Sequence, residues 1–266
     1  MTVRSRLDTE LVRRGMARSR EQAAELIAAG RVAVSGQTAG KPATQVGRDA
    51  PIVVADDTDD PGYVSRGAFK LAGALEKFGD LRVAGRRCLD AGASTGGFTD
   101  VLLRAGAAHV VAADVGYGQL AWSLRTDPRV SVLDRVNVRA LTPEQVAPPP
   151  ELVVADLSFI SLTLVLPALV GCATADADFV LMVKPQFEVG KQRVGAGGVV
   201  RDPQARADAI REVCEAAATL NLGVQGITAS PLPGPAGNVE YFTWLRRGAP
   251  PLDDELVRQA IEEGPS

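Results

Sequence analysis

The sequence predicts an α/β protein in which a mostly parallel, doubly wound sheet follows a small α+β N-terminal module. Three observations carry this reading. From residue 63 onward, short Val/Ala/Leu-rich runs alternate with helix-like segments. The first of those runs ends in a glycine-rich turn that opens a helix. Before residue 56 the pattern differs, with two short helices and then hairpin-like strands under an excess of basic charge. A chain of 266 residues accommodates a small domain plus a medium one, and 46% hydrophobic with 23% charged residues suits a soluble protein with ample core.

In the first module, LDTELVRR (7–14) and SREQAAELIAA (19–29) read as helices ended by Gly15 and Gly30. Ser19 is placed as an N-cap, and Ala23, Leu26 and Ile27 supply an apolar face at i, i+3, i+4. VAV (32–34), turn residues around Gly36 and Gly40, and PIVVAD (51–56) suggest short hairpin strands. The acidic, turn-rich run DDTDDPG (56–62) marks a linker, which sets the domains at 1–59 and 65–266 with 60–64 between them.

In the second, the expected strands are 86–90, 108–114, 130–133, 151–156, 178–184, 223–229 and 239–245. A helix is expected over 203–220, opening after Asp202 with proline in its first turn. The apolar stretch 152–173 contains Asp156 and Pro167, so it reads as a strand, a loop and a helix. No apolar segment follows the N-terminal arginines as a signal peptide requires.

The formal charge of −3 hides an asymmetry. Residues 1–50 hold nine Lys/Arg against five acids, net +4, and the remaining 216 residues carry −7. That is the pattern of a basic binding module on an acidic body. A single histidine, His109, excludes multi-His metal sites and disfavours a Ser-His-Asp hydrolase. It opens a strand and reads as structural. Cys88, Cys172 and Cys214 lie 84 and 42 residues apart in apolar contexts, so they read as core in a reducing, cytoplasmic compartment.

Two clusters carry chemistry. In LDAGASTGGFTDVLL (89–103) a strand runs into Asp90, then Gly92, Ser94, Gly96, Gly97 and Phe98 form the turn into a helix. A second strand ends at Asp114, 24 residues on, where a ribose-binding acid belongs. An acid before the first glycine would repel a pyrophosphate but holds an amino group well, which suits S-adenosylmethionine better than a dinucleotide. Asp134 and Asn137 are candidates for the adenine edge, with Asn137 preferred. The second cluster is scattered: Lys70 in SRGAFKL, Asp156 and Lys184 at strand ends, and Glu240 in NVEYF. Each has a plain structural reading, as a surface helix lysine, an ion pair or a solvent-facing acid. A lysine at the tip of the apolar run FVLMVK is nonetheless more readily explained by function. Gly195–Gly198, flanked by Lys191, Arg193 and Arg201, reads equally as a mobile loop over a polyanion or as a surface turn.

The stretch R-L-D-x-x-L-V-x-R-G-x-A-x-S-R-x-x-A-x-x-L-I-x-x-G-x-V-x-V-x-G, from Arg6 to Gly36, resembles the RNA-binding domain named after ribosomal protein S-four. The body, with YVSRGAFKL, LDAGASTGGFTD, DVGYGQL, DLSFISL and VKPQFEVG, resembles FtsJ-like methyltransferases, and the combination is similar to the TlyA family. The resemblance implies a Rossmann-like S-adenosylmethionine-dependent methyltransferase that modifies the ribose 2′-OH of cytidines in ribosomal RNA, of the small subunit, the large or both. Some members carry haemolysin names. It further implies a catalytic tetrad at Lys70, Asp156, Lys184 and Glu240, and cofactor contacts in the 90–98 loop, at Asp114 and around 134–137. Ser94 stands where the general methyltransferase loop has glycine, and Asn137 where an acid is usual.

On this reading Lys184 accepts the ribose hydroxyl proton, Asp156 and Glu240 orient the two lysines, and no metal takes part. Desolvation and the charge of Lys70 are expected to lower the Lys184 pKa, and Asp156 to restore part of it. Arg4, Arg6, Arg18, Arg20, Lys41 and Arg66 are the expected phosphate contacts. The protein is expected to act as a monomer without a stable membrane partner. Two readings from other classes compete. A nicotinamide oxidoreductase shares the fold but needs G-x-G-x-x-G without Asp90 before it. A pore-former would need a membrane-competent segment, for which 152–173 is the sole candidate.

Overall fold

The structure, a computed structural model, describes residues 4–55 and 61–264. Residues 56–60 of the expected linker lie outside the described residues. The chain divides into two compact units, Met1–Gly62 and Tyr63–Ser266.

In the first unit, β1 (Arg4–Arg6) leads into α1 (Leu7–Arg13), followed by α2 (Arg20–Ala28), β2 (Val32–Val34), β3 (Gln37–Thr38), β4 (Gln45–Gly47) and β5 (Ile52–Val54). The Ser19 hydroxyl accepts the Gln22 N–H at 3.1 Å and so caps α2. Leu7, Leu11, Ala23, Leu26, Ile27 and Val32 form a small core that Val46 and Ile52 close. β2 pairs antiparallel with both β3 and β5. β1 and β4 were not expected. They pair antiparallel with Ser5 opposite Val46, a contact between chain-distant segments that neither RSR nor QVG announces locally.

The second unit begins with α3 (Gly67–Lys77) and continues β6 (Arg87–Ala91), α4 (Gly97–Arg104), β7 (His109–Asp114), α5 (Trp122–Arg125), β8 (Val130–Asp134) and α6 (Pro143–Val146). It proceeds through β9 (Leu152–Ala155), α7 (Leu162–Cys172), β10 (Asp178–Val183), α8 (Pro185–Glu188) and α9 (Pro203–Thr219). β11 (Gly223–Ala229), β12 (Tyr241–Arg246) and α10 (Asp254–Glu263) complete it. The seven strands form one sheet in the order β11-β12-β10-β9-β6-β7-β8. Only β12 opposes its neighbours; the β10–β9, β9–β6, β6–β7 and β7–β8 pairs are parallel.

Alternation along the strands builds two cores. Leu89, Val111, Val153 and Leu181 point to the face covered by α7, α9 and α10. Cys88, Val110, Val154 and Val180 point to the opposite face, covered by α3, α4 and α5. Because both faces are covered, the strands read as continuous apolar runs, which is why they were visible in the sequence. The Asp202 carboxylate caps α9 by accepting the Gln204 and Ala205 N–H groups. The stretch 152–173 is divided as expected into β9, a loop and α7, and no helix among the described residues is long and apolar enough to cross a membrane.

His109 and the cysteines are structural. His109 starts β7, at the strand end opposite Asp114, with its Nε2 2.9 Å from the Ser131 hydroxyl. Burial and the Arg87 charge hold its pKa below the usual histidine value. All three cysteines are buried, and burial pushes the Cys88 and Cys214 thiols up to about 12.

Candidate active site

The sheet winds outward from β6 in both directions, to β7 and β8 on one side and to β9 and β10 on the other. The strand order reverses between β6 and β9, and in such sheets the carboxyl ends of the strands at that point form the ligand crevice. The turn after β6 is bound to both neighbours. Gly92 and Ala93 donate their N–H groups to the Ala113 carbonyl, and Asp156 donates its N–H to the Ala91 carbonyl at 3.1 Å.

At Gly92 the backbone has φ +88°, and a Cβ there would lie 2.5 Å from the Asp156 carbonyl oxygen. No other residue fits that crossing. Gly97 is required by the protein's own packing, because a Cβ there would meet the Ala68 nitrogen of α3 at 2.8 Å. Gly96 is covered likewise by Leu120 and Leu124. The missing Cβ atoms of these two glycines therefore make room for neighbouring segments of the protein, which leaves the backbone N–H groups as what the loop could offer a ligand. Phe98 is also a core residue, with its ring 6.0 Å from that of Phe242.

Asp90 has no exposed surface. Its Oδ2 accepts the Thr99 hydroxyl at 2.6 Å, while its Oδ1 is buried without a hydrogen-bond partner among the described residues. Burial pushes this carboxyl up to about 7 against the Thr99 hydrogen bond, with the charge of Asp156 adding to the rise. Asp114, at the tip of β7, accepts the Ser94 N–H at 2.8 Å and the Gly116 N–H at 2.7 Å. Its carboxylate thus anchors both loops of the crevice. The Asn137 side-chain oxygen accepts the Arg139 N–H at 3.0 Å and caps a 3₁₀ turn over Val138–Ala140. Asp134 is ion-paired with Arg125 at 3.0 Å.

The four scattered residues form two ion pairs. Lys184 follows β10, and its Nζ lies 2.5 Å from Asp156 Oδ1 and 3.0 Å from the Ser158 hydroxyl. Lys70, on α3, reaches Glu240 Oε2 at 2.5 Å. Both lysines are 7% exposed. The pairs are neighbours through the sheet, because Val183 stands opposite Tyr241 and the next residues of each strand are Lys184 and Glu240. The Lys70–Glu240 pair is buried, whereas Asp156 keeps 24% of its side chain exposed. Replacing a buried ion pair by apolar residues is often neutral or stabilising, so the two pairs side by side are poorly explained by stability alone.

The basic residues of the first unit behave unequally. Arg4 and Lys41 are exposed. Arg6 and Arg20 are both ion-paired with Asp8, at 2.7 and 3.1 Å. Arg18 bonds the Gln22 side chain and the Gly62 carbonyl. Arg66 belongs to the second unit, where it precedes α3.

Residues 63–247 match the FtsJ-like methyltransferase family model, and residues 5–52 match the S4 domain model. The chain belongs to the TlyA group of FtsJ-like methyltransferases. It is 63% identical, over the full length of both chains, to the 16S/23S rRNA (cytidine-2′-O)-methyltransferase TlyA of Mycobacterium tuberculosis. Among solved structures it resembles a protein named as a hemolysin from Streptococcus thermophilus, with 36% identity and a TM-score of 0.77 over 99% of this chain and 98% of that one. A second hemolysin-named structure, from Lactococcus lactis, is 40% identical with a TM-score of 0.72, covering 76% of this chain and 98% of that one.

Within this methyltransferase unit, sequence reasoning missed Thr99, Ser158, Phe159 and Glu188. Phe159 has φ +65° and is 91% exposed, with its ring 5.2 Å from that of Phe187. Glu188 accepts the Leu162 N–H at 2.9 Å and the Ser161 hydroxyl at 2.5 Å, so it fixes the start of α7 beside the Asp156 loop. Only Ser158 had a usable signal, its place two residues after the strand-end aspartate. The Gly195–Gly198 segment is tied down by Asn238, which donates to the Gly198 carbonyl at 2.8 Å and accepts the Val200 N–H at 2.9 Å. Among the described residues, no group of three His, Cys, Asp or Glu is placed to hold a metal ion.

Proposed function

We propose that the chain transfers a methyl group from S-adenosylmethionine to the ribose 2′-OH of cytidine in ribosomal RNA, acting on ribosomal subunits in the cytoplasm. The observation that carries this reading is Lys184, held at the tip of β10 between Asp156 and Ser158.

The crevice residues fit that cofactor. Asp90, buried with one unpartnered oxygen, suits an ammonium group, and the close Gly92–Asp156 crossing leaves backbone as the wall. Asp114 retains lone pairs toward a ribose, since its Oδ2 accepts the Ser94 N–H and its Oδ1 the Gly116 N–H, one each. Backbone of 92–98 would line the amino-acid end. Asp134 and Asn137 are the adenine candidates; Asp134 already meets Arg125 and the Gly118 N–H, and the Asn137 side-chain oxygen meets the Arg139 N–H. When bound, S-adenosylmethionine supplies an electrophilic methyl on a sulfonium.

The protein's part is proton handling and positioning. As the ribose oxygen gains the methyl, its proton passes to Lys184 Nζ, which must first release the proton that its ion pair with Asp156 holds. Asp156 and Ser158 hold that nitrogen in place and stabilise the ammonium that forms. Lys70, fixed by Glu240, places a second positive charge beside the developing alkoxide. Phosphate contacts are assigned to Arg4, Arg6, Arg18, Arg20, Lys41 and Arg66.

The test is methyl transfer from labelled cofactor to purified small and large ribosomal subunits assayed separately, followed by nucleoside analysis of the RNA. Label in 2′-O-methylcytidine from at least one subunit is expected. Label confined to bases or to protein would overturn the reading.

A further inference from the structure

Among its described residues the first unit holds two buried carboxylates, each gripped by two arginines, and the two sites differ in what the arginines do next. Glu10, 1% exposed at its side chain, binds Arg13 at 2.6 Å and Arg14 at 2.8 Å. Arg14 then donates to the carbonyls of Ala50, Gly47 and Arg48, so three of its other four N–H groups are spent on the fold. Asp8, 4% exposed at its side chain, is bound differently. Arg6 closes on it with Nε at 3.0 Å and Nη2 at 2.7 Å, and Arg20 Nη2 reaches the same carboxylate at 3.1 Å. The Thr9 N–H, at 2.7 Å, fixes the carboxylate from below. Among the described residues, Arg6 and Arg20 make no carbonyl contacts like those of Arg14. Their side chains stay 43% and 62% exposed.

We infer that Asp8 is a positioning residue for RNA: its buried carboxylate holds the guanidiniums of Arg6 and Arg20 side by side, as a ready-made pair for backbone phosphates. The inference rests on the reading of this unit as an RNA-binding module. The two guanidiniums keep Asp8 ionised far below the usual carboxylate range, so the pair is assembled at any working pH. Arg6 uses its Nε–Nη2 edge on Asp8, which leaves Nη1 outside the chelate. Two long side chains ordered before binding lose less freedom when phosphates arrive. Arg6 ends β1 and Arg20 opens α2, so Asp8 also fixes the spacing between two elements.

This inference reverses a simple electrostatic expectation. Asp8 is an acid among cations, and by charge alone its removal should tighten RNA binding. Positioning requires the opposite. Filter binding of the full-length chain to purified small and large ribosomal subunits, from 50 to 200 mM salt, separates the two. Asp8→Asn is expected to weaken binding roughly 5-fold, with an unchanged slope of log affinity against log salt because the phosphate count is kept. Glu21→Gln, the same charge change at an exposed site on α2, should leave binding equal or tighter. Arg6→Lys, which keeps the charge but cannot chelate Asp8 through two nitrogens, should weaken binding like Asp8→Asn and decides the matter if Asp8→Asn fails to fold.

If Asp8→Asn folds and binds as tightly as the parent while Arg20→Gln binds weakly, the positioning role is overturned and the RNA reading survives. If Arg20→Gln and Arg6→Lys both bind as the parent does, the RNA reading of this pair fails, and the inference with it.

Discussion

The buried carboxylates of the first unit and the carboxylates of the crevice in the second are met by different cations. In the first unit Asp8 and Glu10 are each held by two arginines, as is Asp178 at the far end of the sheet from the crevice. At the crevice itself Asp156 and Glu240 are each held by one lysine, and Asp90 by no cation among the described residues. Arginine stays charged at every physiological pH and presents a rigid fork, so it serves architecture and phosphate recognition. A lysine can release its proton when buried, so it serves chemistry. On the proposed function, the difference separates a module that grips a polyanion from a site that moves a proton.

The largest expected effect breaks a lysine pair. Glu240→Ala leaves Lys70 buried without its counter-charge, and thermal or denaturant unfolding should show a loss of about 3 kcal/mol. Glu240→Gln, which keeps a hydrogen-bond acceptor, should lose less. A Glu240→Ala protein as stable as the parent would show that Lys70 is uncharged or solvated in the folded state.

Asp90 sharpens the comparison from the other side. Its folded-state pKa of about 7 lies above that of an unfolded carboxylate, so the folded protein binds the extra proton between roughly pH 4 and 7. Stability from this group therefore falls as pH rises through that window, and the full penalty applies above it. Asp90→Asn should gain on the order of 2 kcal/mol at pH 8, and the gain should vanish toward pH 4. The same variant should lose affinity for S-adenosylmethionine in calorimetry. A pH-independent stability difference would mean that Asp90 is not the titrating group.

The smallest effect belongs to the exposed cations. Arg4→Glu with Lys41→Glu should weaken binding to ribosomal subunits about 10-fold and flatten its salt dependence, with cofactor affinity unchanged. Arg6 and Arg20 are poor choices for charge reversal, because two added acids would face the buried Asp8. Equal losses of RNA and cofactor binding would point to misfolding.

The sheet was legible because strands covered on both faces leave unbroken apolar runs, as in LVVAD and DFVLMVK. Both helices of the first unit were legible, α1 through its stop at Gly15 and α2 through the Ser19 cap and Gly30. β1 was not, since Arg4–Arg6 becomes a strand only by pairing with residues about forty positions away. At the crevice, residue types at strand ends suggested Asp90, Asp114, Asp156 and Lys184. Which lysine meets which acid depends on β12 running antiparallel beside β10, and no local pattern records that register. Likewise no local pattern records that Gly96 and Gly97 also make room for Leu120, Leu124 and α3.

The proton-accepting role of Lys184 is tested most directly by single-turnover methyl transfer with cofactor and RNA saturating, comparing the parent with Lys184→Arg and Lys184→Ala. Both variants should bind cofactor normally and lose methyl transfer by roughly 10²–10⁴-fold, because neither side chain can take up a proton at neutral pH. A Lys184→Arg protein that transfers methyl at the parental rate would show that only the positive charge matters, and would contradict a base at this position.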